Sequence, residues 1–133
     1  MSVEVMPNPA ARRLFLHLHG LSDAPHGAAK GTGLAALICN LGFVQVDSIN
    51  TVERAHHMIL FARRRAYRPP HLAPLIEKHR SLWEHWTHDA SILPIGHYRH
   101  WRHRFERDAK RLHERWRNGF RDGYEAQFDT ILN

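Results

Sequence analysis

Two polar side chains interrupt a short apolar stretch in the first half of the chain. The stretch runs from Phe43 to Asn50, and Gln45 and Asp47 stand two positions apart within it. On an extended strand, residues i and i+2 point to the same side, so the amide and the carboxylate are expected to stand together. Such groups are costly to bury among apolar residues and useful at a reactive site. Gln45 and Asp47 are therefore the first candidates for catalytic residues.

The charge of the chain changes sign shortly after this pair. Lysine and arginine outnumber aspartate and glutamate 19 to 13, most of the basic residues are arginine, and 13 histidines add further titratable groups. Residues 54–98 and 99–121 are net basic, whereas 1–53 and 122–133 are net acidic. Because guanidinium groups bind phosphate through paired N–H donors, an anionic polymer is the natural partner, although arginine-rich chains without one are also common.

Four arginines close to the pair are candidates for contacts with that polymer: Arg54, and the run Arg63, Arg64 and Arg65. The run falls near the end of a helix predicted from about Thr51 to Tyr67. Cations at the C-terminal end of a helix also complement its dipole. A solvated helix end and a set of phosphate contacts therefore remain equally open for the run.

Apolar periodicity predicts the elements that must position these side chains. We expect helices over residues 9–21, with Asn8 as a cap, and over 33–40, 51–67 and 71–78, a strand at 43–50, and an extended segment at 81–94 that suits a wing. A long helix with an aromatic stripe is expected from about 96 to 120. The predicted fold is mainly α with a small β wing. It consists of a winged helix-turn-helix domain at 10–95, a long basic amphipathic helix at 96–120, and an acidic tail at 121–133.

Several classes of protein do not fit the sequence. Cys39 is the single cysteine and cannot form an internal disulfide. The N-terminus has no signal-peptide layout, and no apolar stretch reaches membrane-spanning length, so a cytoplasmic protein without a membrane partner is expected. His97, His100 and His103 are spaced so that they spread around a helix, and no Cys-x-x-Cys motif accompanies them. We therefore expect no metal and no cofactor.

Several spaced motifs follow one another in a familiar order. They are Phe43-Val44-Gln45-Val46-Asp47-Ser48-Ile49-Asn50, Arg54, Leu60-Phe61-Ala62-Arg63, Tyr67, Glu84-His85-Trp86-Thr87-His88-Asp89-Ala90 and Pro94. Over roughly residues 10–105, these motifs together resemble the N-terminal part of the AlkZ/YcaQ-like DNA glycosylases. Members of that family are winged-helix proteins that unhook interstrand crosslinks and remove alkylated guanines.

The resemblance implies roles for particular residues. The family's catalytic Gln-x-Asp pair falls on Gln45 and Asp47. Its Glu-Tyr-Trp-Ala-His-Glu-Ala block falls on residues 84–90, where His85, Thr87 and Asp89 are departures and Glu84, Trp86 and His88 are kept. Two roles are open for these three kept residues: contact with the substrate or DNA, and a hydrogen-bonded cluster that braces the wing.

Family proteins are also much longer than this chain, with three tandem winged-helix domains and a β-barrel. The resemblance therefore carries the expectation that the chain is a truncated or frameshifted member.

Two functions follow as hypotheses, and they differ on whether the chain is an enzyme. In the first, the chain is a DNA repair protein that hydrolyses the N-glycosidic bond of alkylated or crosslinked guanine in double-stranded DNA. Asp47 would then activate a water and face the positive charge that develops on the sugar, and Gln45 would orient that water. In the second, the chain is a non-catalytic winged-helix DNA-binding protein.

Overall fold

The computed structural model describes residues 5–117, 119, 127, 130 and 131. The chain forms two units, Met1–Gly96 and His97–Asn133. The first contains α1 (Asn8–Leu18), α2 (Gly31–Leu41), β1 (Val44–Gln45), α3 (Ala55–Arg63), a 3₁₀ turn (Pro69–His71), α4 (Ala73–Glu77), β2 (Leu82–Trp86) and β3 (Ala90–Pro94). A 3₁₀ helix (Ile95–Trp101) precedes α5 (Arg102–Arg117). The prediction of a mainly helical chain with a small β component is confirmed.

The three strands form one antiparallel sheet in the order β1-β3-β2. Val44 of β1 pairs with Ile92 of β3, and Gln45 pairs with Ser91. The backbone N–H of Val46 also donates to the carbonyl of Ala90 at 2.8 Å. β3 is therefore the central strand, and it places β1 beside the β2–β3 hairpin.

The hydrophobic core lies between this sheet and the helices of the first unit. Leu34 and Ile38 of α2 have no exposed surface, and Leu60 of α3 is equally buried. Burial of each such side chain contributes roughly 1.5–3 kcal/mol. α2 ends at Leu41, and the next residue, Gly42, has a φ of 84°, which lies in the left-handed region that favours glycine. This packing fixes the position of β1, which follows directly.

α1 differs from α2 in having no buried residue. Leu14, Phe15 and Leu18 lie at the helical spacing that the sequence predicts, yet each is more than 40% exposed. The residue before the first turn is Pro7, not Asn8, and its carbonyl accepts the N–H groups of Ala10 and Ala11 at 2.9 and 3.0 Å. Asn8 is already the first helical residue, so its side chain does not cap the helix.

α3 is shorter than the predicted helix over 51–67. Arg54 has extended backbone angles (φ −63°, ψ 140°) and is the residue before the first turn, and Arg64 is extended again after the last turn. Val52, which the periodicity assigned to the apolar side of this helix, is 87% exposed and lies before it. The helix therefore begins eight residues after Asp47 in the chain.

The extended segment predicted at 81–94 is a hairpin of two strands. The chain reverses at Thr87, where the backbone N–H donates to the carbonyl of Asp89 at 2.9 Å. Trp86 pairs with Ala90 and Leu82 with Pro94. The reversal places the second half of the segment in the core, since Ser91, Ile92 and Leu93 are each 1% exposed.

The second unit consists of α5 and the residues beside it. Tyr98 and Phe105 have ring centroids 5.3 Å apart, and the Arg104 guanidinium lies 5.7 Å from the Trp101 ring centroid. The predicted helix over 96–120 thus begins in 3₁₀ form, and its stripe residue Phe120 lies outside the described residues. Most of the predicted acidic tail at 121–133 also lies outside them. Within the described ranges, no helix has both the length and the apolar character needed to cross a membrane.

Candidate active site

Gln45 is the last residue of β1, and its side-chain amide is bonded to the turn between β2 and β3. The Gln45 Nε2 group donates to Asp89 Oδ2 at 3.4 Å, and Gln45 Oε1 accepts from His88 Nε2 at 3.2 Å. A carbonyl oxygen can only accept, so His88 carries its proton on Nε2. The two contacts therefore fix which way the Gln45 amide faces.

The turn that holds Gln45 is itself well bonded. Ala90 donates its backbone N–H to Asp89 Oδ1 at 2.8 Å, which fixes the Asp89 carboxylate. The hydroxyl oxygens of Thr87 and Ser91 are 2.9 Å apart, and the Ser91 hydroxyl donates to the carbonyl of Asp89 at 3.0 Å. The residues that contact Gln45 are thus part of an ordered hydrogen-bond network.

Asp47 lies two residues beyond Gln45, past the end of β1, and a different part of the chain holds it. Its Oδ1 accepts the backbone N–H of Ile49 at 2.8 Å, a local turn typical of aspartate. Its own backbone N–H donates to Nδ1 of His56 on α3 at 3.4 Å. Because β1 ends at Gln45, strand alternation alone does not determine where the Asp47 carboxylate lies. Each is oriented by its own contacts.

His56 is only 5% exposed, although it lies beside a polar loop. Its pKa is lowered from the ordinary value of 6.5 by burial first, and then by the neighbouring His57 and Arg54. Nδ1 of the neutral ring can accept a hydrogen bond, as the contact with the backbone N–H of Asp47 requires. His56 therefore supports the backbone of Asp47 without adding a positive charge.

The structure also shows a His57–Tyr67 pair that the sequence did not single out for a role. The Tyr67 hydroxyl is 2.8 Å from His57 Nδ1, and Tyr67 is 1% exposed. Burial raises the pKa of the Tyr67 hydroxyl, and burial also lowers the pKa of His57. The neutral phenol thus donates to the neutral imidazole. Nothing in the local spacing could have predicted this contact, because it joins α3 to the loop after it.

Two cavities flank α3 at this point. One has a volume of about 270 Å³ and is lined by Asp47 together with Ile49, Thr51, Val52, Glu53, Ala55 and Met58. The other, about 390 Å³, is lined by Val52, Glu53, His57, Met58, Phe61, Tyr67, Arg68 and Pro69. The Asp47 carboxylate is therefore at an open surface, which a bulky substrate could approach.

Glu84, Trp86 and His88, the three residues that match the family's block, lie along the β2–β3 hairpin. Glu84 and Trp86 are exposed on β2, and they line a cavity of about 240 Å³ with Val46, His85, Ala90 and Ser91. His88 lies in the turn, bonded to Gln45, and its ring centroid is 6.0 Å from that of Phe43. Of the three, the structure brings His88 to the catalytic candidate and leaves Glu84 and Trp86 on the neighbouring surface.

The four candidate arginines have different surroundings. Arg54 and Arg65 are exposed. Arg63 is 8% exposed, and its guanidinium donates to the carbonyl of His19 at 2.7 Å and of Ile59 at 2.8 Å. Burial lowers the pKa of Arg63.

Arg64 is half-buried and lies against the glycine-rich segment that follows α1. A Cβ on Gly27 would lie 3.2 Å from Arg64 Nε, so the absence of a side chain there admits the guanidinium. Arg64 Nε has no hydrogen-bond partner within the part of the chain that the structure describes. The next residue, Arg65, donates its backbone N–H to the carbonyl of Pro25 at 2.9 Å. The arginine run therefore holds the segment after α1 against the end of α3.

Among the described residues, no group of three or more His, Cys, Asp or Glu side chains is arranged to hold a metal ion.

Comparison with known protein families gives the class of protein to which this chain belongs. The family model described as DNA glycosylase AlkZ-like matches residues 38–132. The chain belongs to the AlkZ-like DNA glycosylase family, as the motifs predict. Membership supports a DNA glycosylase-related function in repair, with DNA as the partner. A search of solved structures found no match.

Proposed function

We propose that the chain hydrolyses the N-glycosidic bond of alkylated or crosslinked guanine in double-stranded DNA, with Asp47 and Gln45 as its catalytic residues. The observation that carries the proposal is the arrangement of Gln45 at the end of β1 and Asp47 just beyond it. The hairpin turn orients the Gln45 amide, and Asp47, fixed by a local turn, lines an open cavity, in a chain of a DNA glycosylase family.

We further propose that residues 10–95 form a winged-helix domain, followed by a basic amphipathic helix at 96–120. Three helices and three strands follow one another as α2-β1-α3-α4-β2-β3, and the last two strands form a hairpin beside β1. α3 and α4, with the 3₁₀ turn between them, would be the helix-turn-helix, and the β2–β3 hairpin would be the wing. In this arrangement Gln45 lies where the wing meets the helical part.

The chemistry suits a single carboxylate. Alkylation at guanine N7 gives the base a positive charge, so it leaves without protonation by a general acid. The remaining task is to stabilise positive charge on the sugar and to place a water at its anomeric carbon. Asp47 would do both, because its Oδ1 is held by the Ile49 N–H while the side chain is only half-buried.

Gln45 would orient the same water. Its amide has two N–H donors and a carbonyl oxygen with two lone pairs. Asp89 takes one donor and His88 occupies one lone pair, which leaves one donor and one lone pair for the reacting water.

DNA would lie across the exposed arginines and the hairpin. Arg54 and Arg65 are the exposed members of the candidate set, and they would contact phosphates. Arg63 and Arg64 would act indirectly, because their guanidinium groups are turned toward the protein backbone. Glu84 and Trp86, beside the cavity on β2, would meet the substrate near the lesion.

The proposal is tested by incubating the purified protein with a duplex that carries one N7-methylguanine and measuring the released base under single-turnover conditions. Asp47→Asn should lower the rate by about 10²- to 10⁴-fold, the usual range for removal of a general base. Asp23→Asn, an exposed aspartate in the segment after α1, is the matched control and should keep the rate. A second duplex with a nitrogen-mustard crosslink measures unhooking in the same way.

The outcome also separates the two functional hypotheses. Base release that depends on Asp47 supports the enzyme. Tight, salt-sensitive duplex binding without base release above background would overturn the catalytic assignment and support a DNA-binding protein without activity.

A further inference from the structure

The turn between β2 and β3 contacts Gln45 through two groups of opposite character. His88 Nε2 donates to the amide oxygen at 3.2 Å, and Asp89 Oδ2 accepts from the amide nitrogen at 3.4 Å. A 180° rotation of the amide would set an N–H against the His88 N–H and an oxygen against the Asp89 carboxylate. With His88 protonated on Nε2, both contacts would then be repulsive, and the Asp89 carboxylate disfavours the rotated amide in either tautomer of His88.

Each of the two contacting groups is itself held in place. The Asp89 carboxylate accepts the Ala90 N–H at 2.8 Å through its other oxygen, Oδ1. The His88 ring has the Thr87 hydroxyl 3.3 Å from Nδ1 and the Phe43 ring at its edge. The Gln45 amide oxygen can only accept, so its contact with His88 requires the proton on Nε2.

We propose that His88 and Asp89 are positioning residues that lock the Gln45 amide, so that one fixed N–H and one fixed lone pair face the reacting water. This inference rests on the proposed function, in which Gln45 orients that water. It assigns His88 an action through Gln45 in place of direct contact with DNA. It also adds Asp89, which the sequence comparison had noted only as a departure from glutamate.

The lock is tested first without catalysis, by ¹⁵N NMR of the Gln45 side-chain amide. The chain has two glutamines, Gln45 and Gln127, so Gln45→Ala identifies the signal directly. In the native protein, the Gln45 side-chain amide should have a heteronuclear NOE typical of a rigid group. His88→Ala and Asp89→Asn should make the amide mobile, whereas His79→Ala, an exposed histidine after α4, should leave it unchanged.

Asp89→Asn is informative because each carboxylate oxygen of Asp89 accepts a different hydrogen bond. Asparagine keeps one oxygen for the Ala90 N–H and presents an NH₂ group where Oδ2 accepted from Gln45. The turn should therefore remain folded while the contact with Gln45 is lost. Unchanged Gln45 amide signals in both His88→Ala and Asp89→Asn would overturn the proposal.

Base release provides the second readout. Misplacement of a water-orienting group costs on the order of 10- to 100-fold in rate, so His88→Ala should lower the single-turnover rate by about that factor and leave duplex affinity nearly unchanged. His88→Gln should restore most of the rate, because its amide can place an N–H donor where Nε2 lies. If His88 instead supplied a proton to the substrate, His88→Gln would be as inactive as His88→Ala, and the positioning role would be wrong.

The two readouts keep this inference separate from the proposed function. A native protein that releases no base contradicts the proposed function, whatever the NMR shows. A native protein that releases base while Gln45 stays rigid in both variants contradicts the lock alone.

Discussion

Each end of α3 carries a buried basic side chain, and the two side chains have different structural roles. At its start, the buried imidazole of His56 accepts the backbone N–H of Asp47 and so supports the candidate site. At its end, the buried guanidinium of Arg63 donates to the carbonyl of His19 and holds the segment that follows α1. The start of α3 therefore supports the candidate residue Asp47, and its end holds the segment that follows α1.

A basic side chain that lies near a candidate site does not necessarily bind phosphate. Arg63, Arg64 and Arg65 are consecutive and chemically identical, yet only Arg65 is exposed, while the other two guanidinium groups face backbone atoms. The Arg63 guanidinium already donates to two backbone carbonyls, so it has fewer donors left for DNA. Burial and partners decide the role.

The largest expected effect is at the C-terminal end of α3. Arg63→Ala removes the guanidinium donors that bind the carbonyls of His19 and Ile59, and it removes the packing of the alkyl stem. Hydrogen bonds that involve a charged group contribute roughly 1.5–3 kcal/mol, so we expect a loss of about 2 kcal/mol in the free energy of unfolding. Urea unfolding followed by circular dichroism measures it.

The neighbouring arginine is the control for that measurement. Arg65→Ala removes the same charge from an exposed position and should change the free energy of unfolding by less than about 0.5 kcal/mol. Equal losses from the two substitutions would contradict the different roles assigned to Arg63 and Arg65.

A smaller effect is expected at the start of α3, where stability should depend on pH. The pKa of His56 is lowered by burial, so below 6.5 the unfolded chain takes up a proton more readily than the folded one. The contribution of His56 is therefore fully present above pH 6.5 and is lost as the pH falls toward the lowered pKa. Urea midpoints measured between pH 7.5 and pH 5 should show stability falling on acidification.

His56→Asn isolates this effect, because its amide oxygen can still accept the Asp47 N–H but does not titrate. The variant should have a flatter pH dependence, with a residual slope from His57, whose pKa is also lowered by burial. His79→Asn, at an exposed position, should keep the native slope. An unchanged slope in His56→Asn would show that His56 is not the group that titrates.

The smallest effect concerns the exposed arginines. If Arg54 and Arg65 each contact one phosphate, each alanine variant should lower the slope of log affinity against log salt by roughly 0.9. Fluorescence anisotropy with a labelled duplex between 50 and 200 mM salt resolves this change. Slopes identical to that of the native protein would remove these two residues from the DNA-binding surface.

Local sequence patterns predicted which helices and strands form in the first unit better than they predicted where each one begins and ends. The period of Leu34, Leu37 and Ile38 predicted α2, and Gly42 predicted its end, because both signals act within a few residues. The period of Leu14 and Leu18 predicted α1 equally well, but it could not show that this face would remain exposed. Periodicity reports that a helix has an apolar face, whereas what covers the face is decided by distant parts of the chain.

The chemical groups of this protein can be read from its amino-acid sequence: an amide and a carboxylate two residues apart, a basic stretch after them, and motifs that place the chain in a DNA glycosylase family. Which of these groups contact one another depends on the folded arrangement of the chain. Pairing of β1 with β3 brings the hairpin turn to Gln45 across more than 40 residues, and the start of α3 brings His56 to Asp47. Hydrogen bonds between residues far apart in sequence leave no periodic signal, because their geometry exists only once the core has set the strands and helices in place.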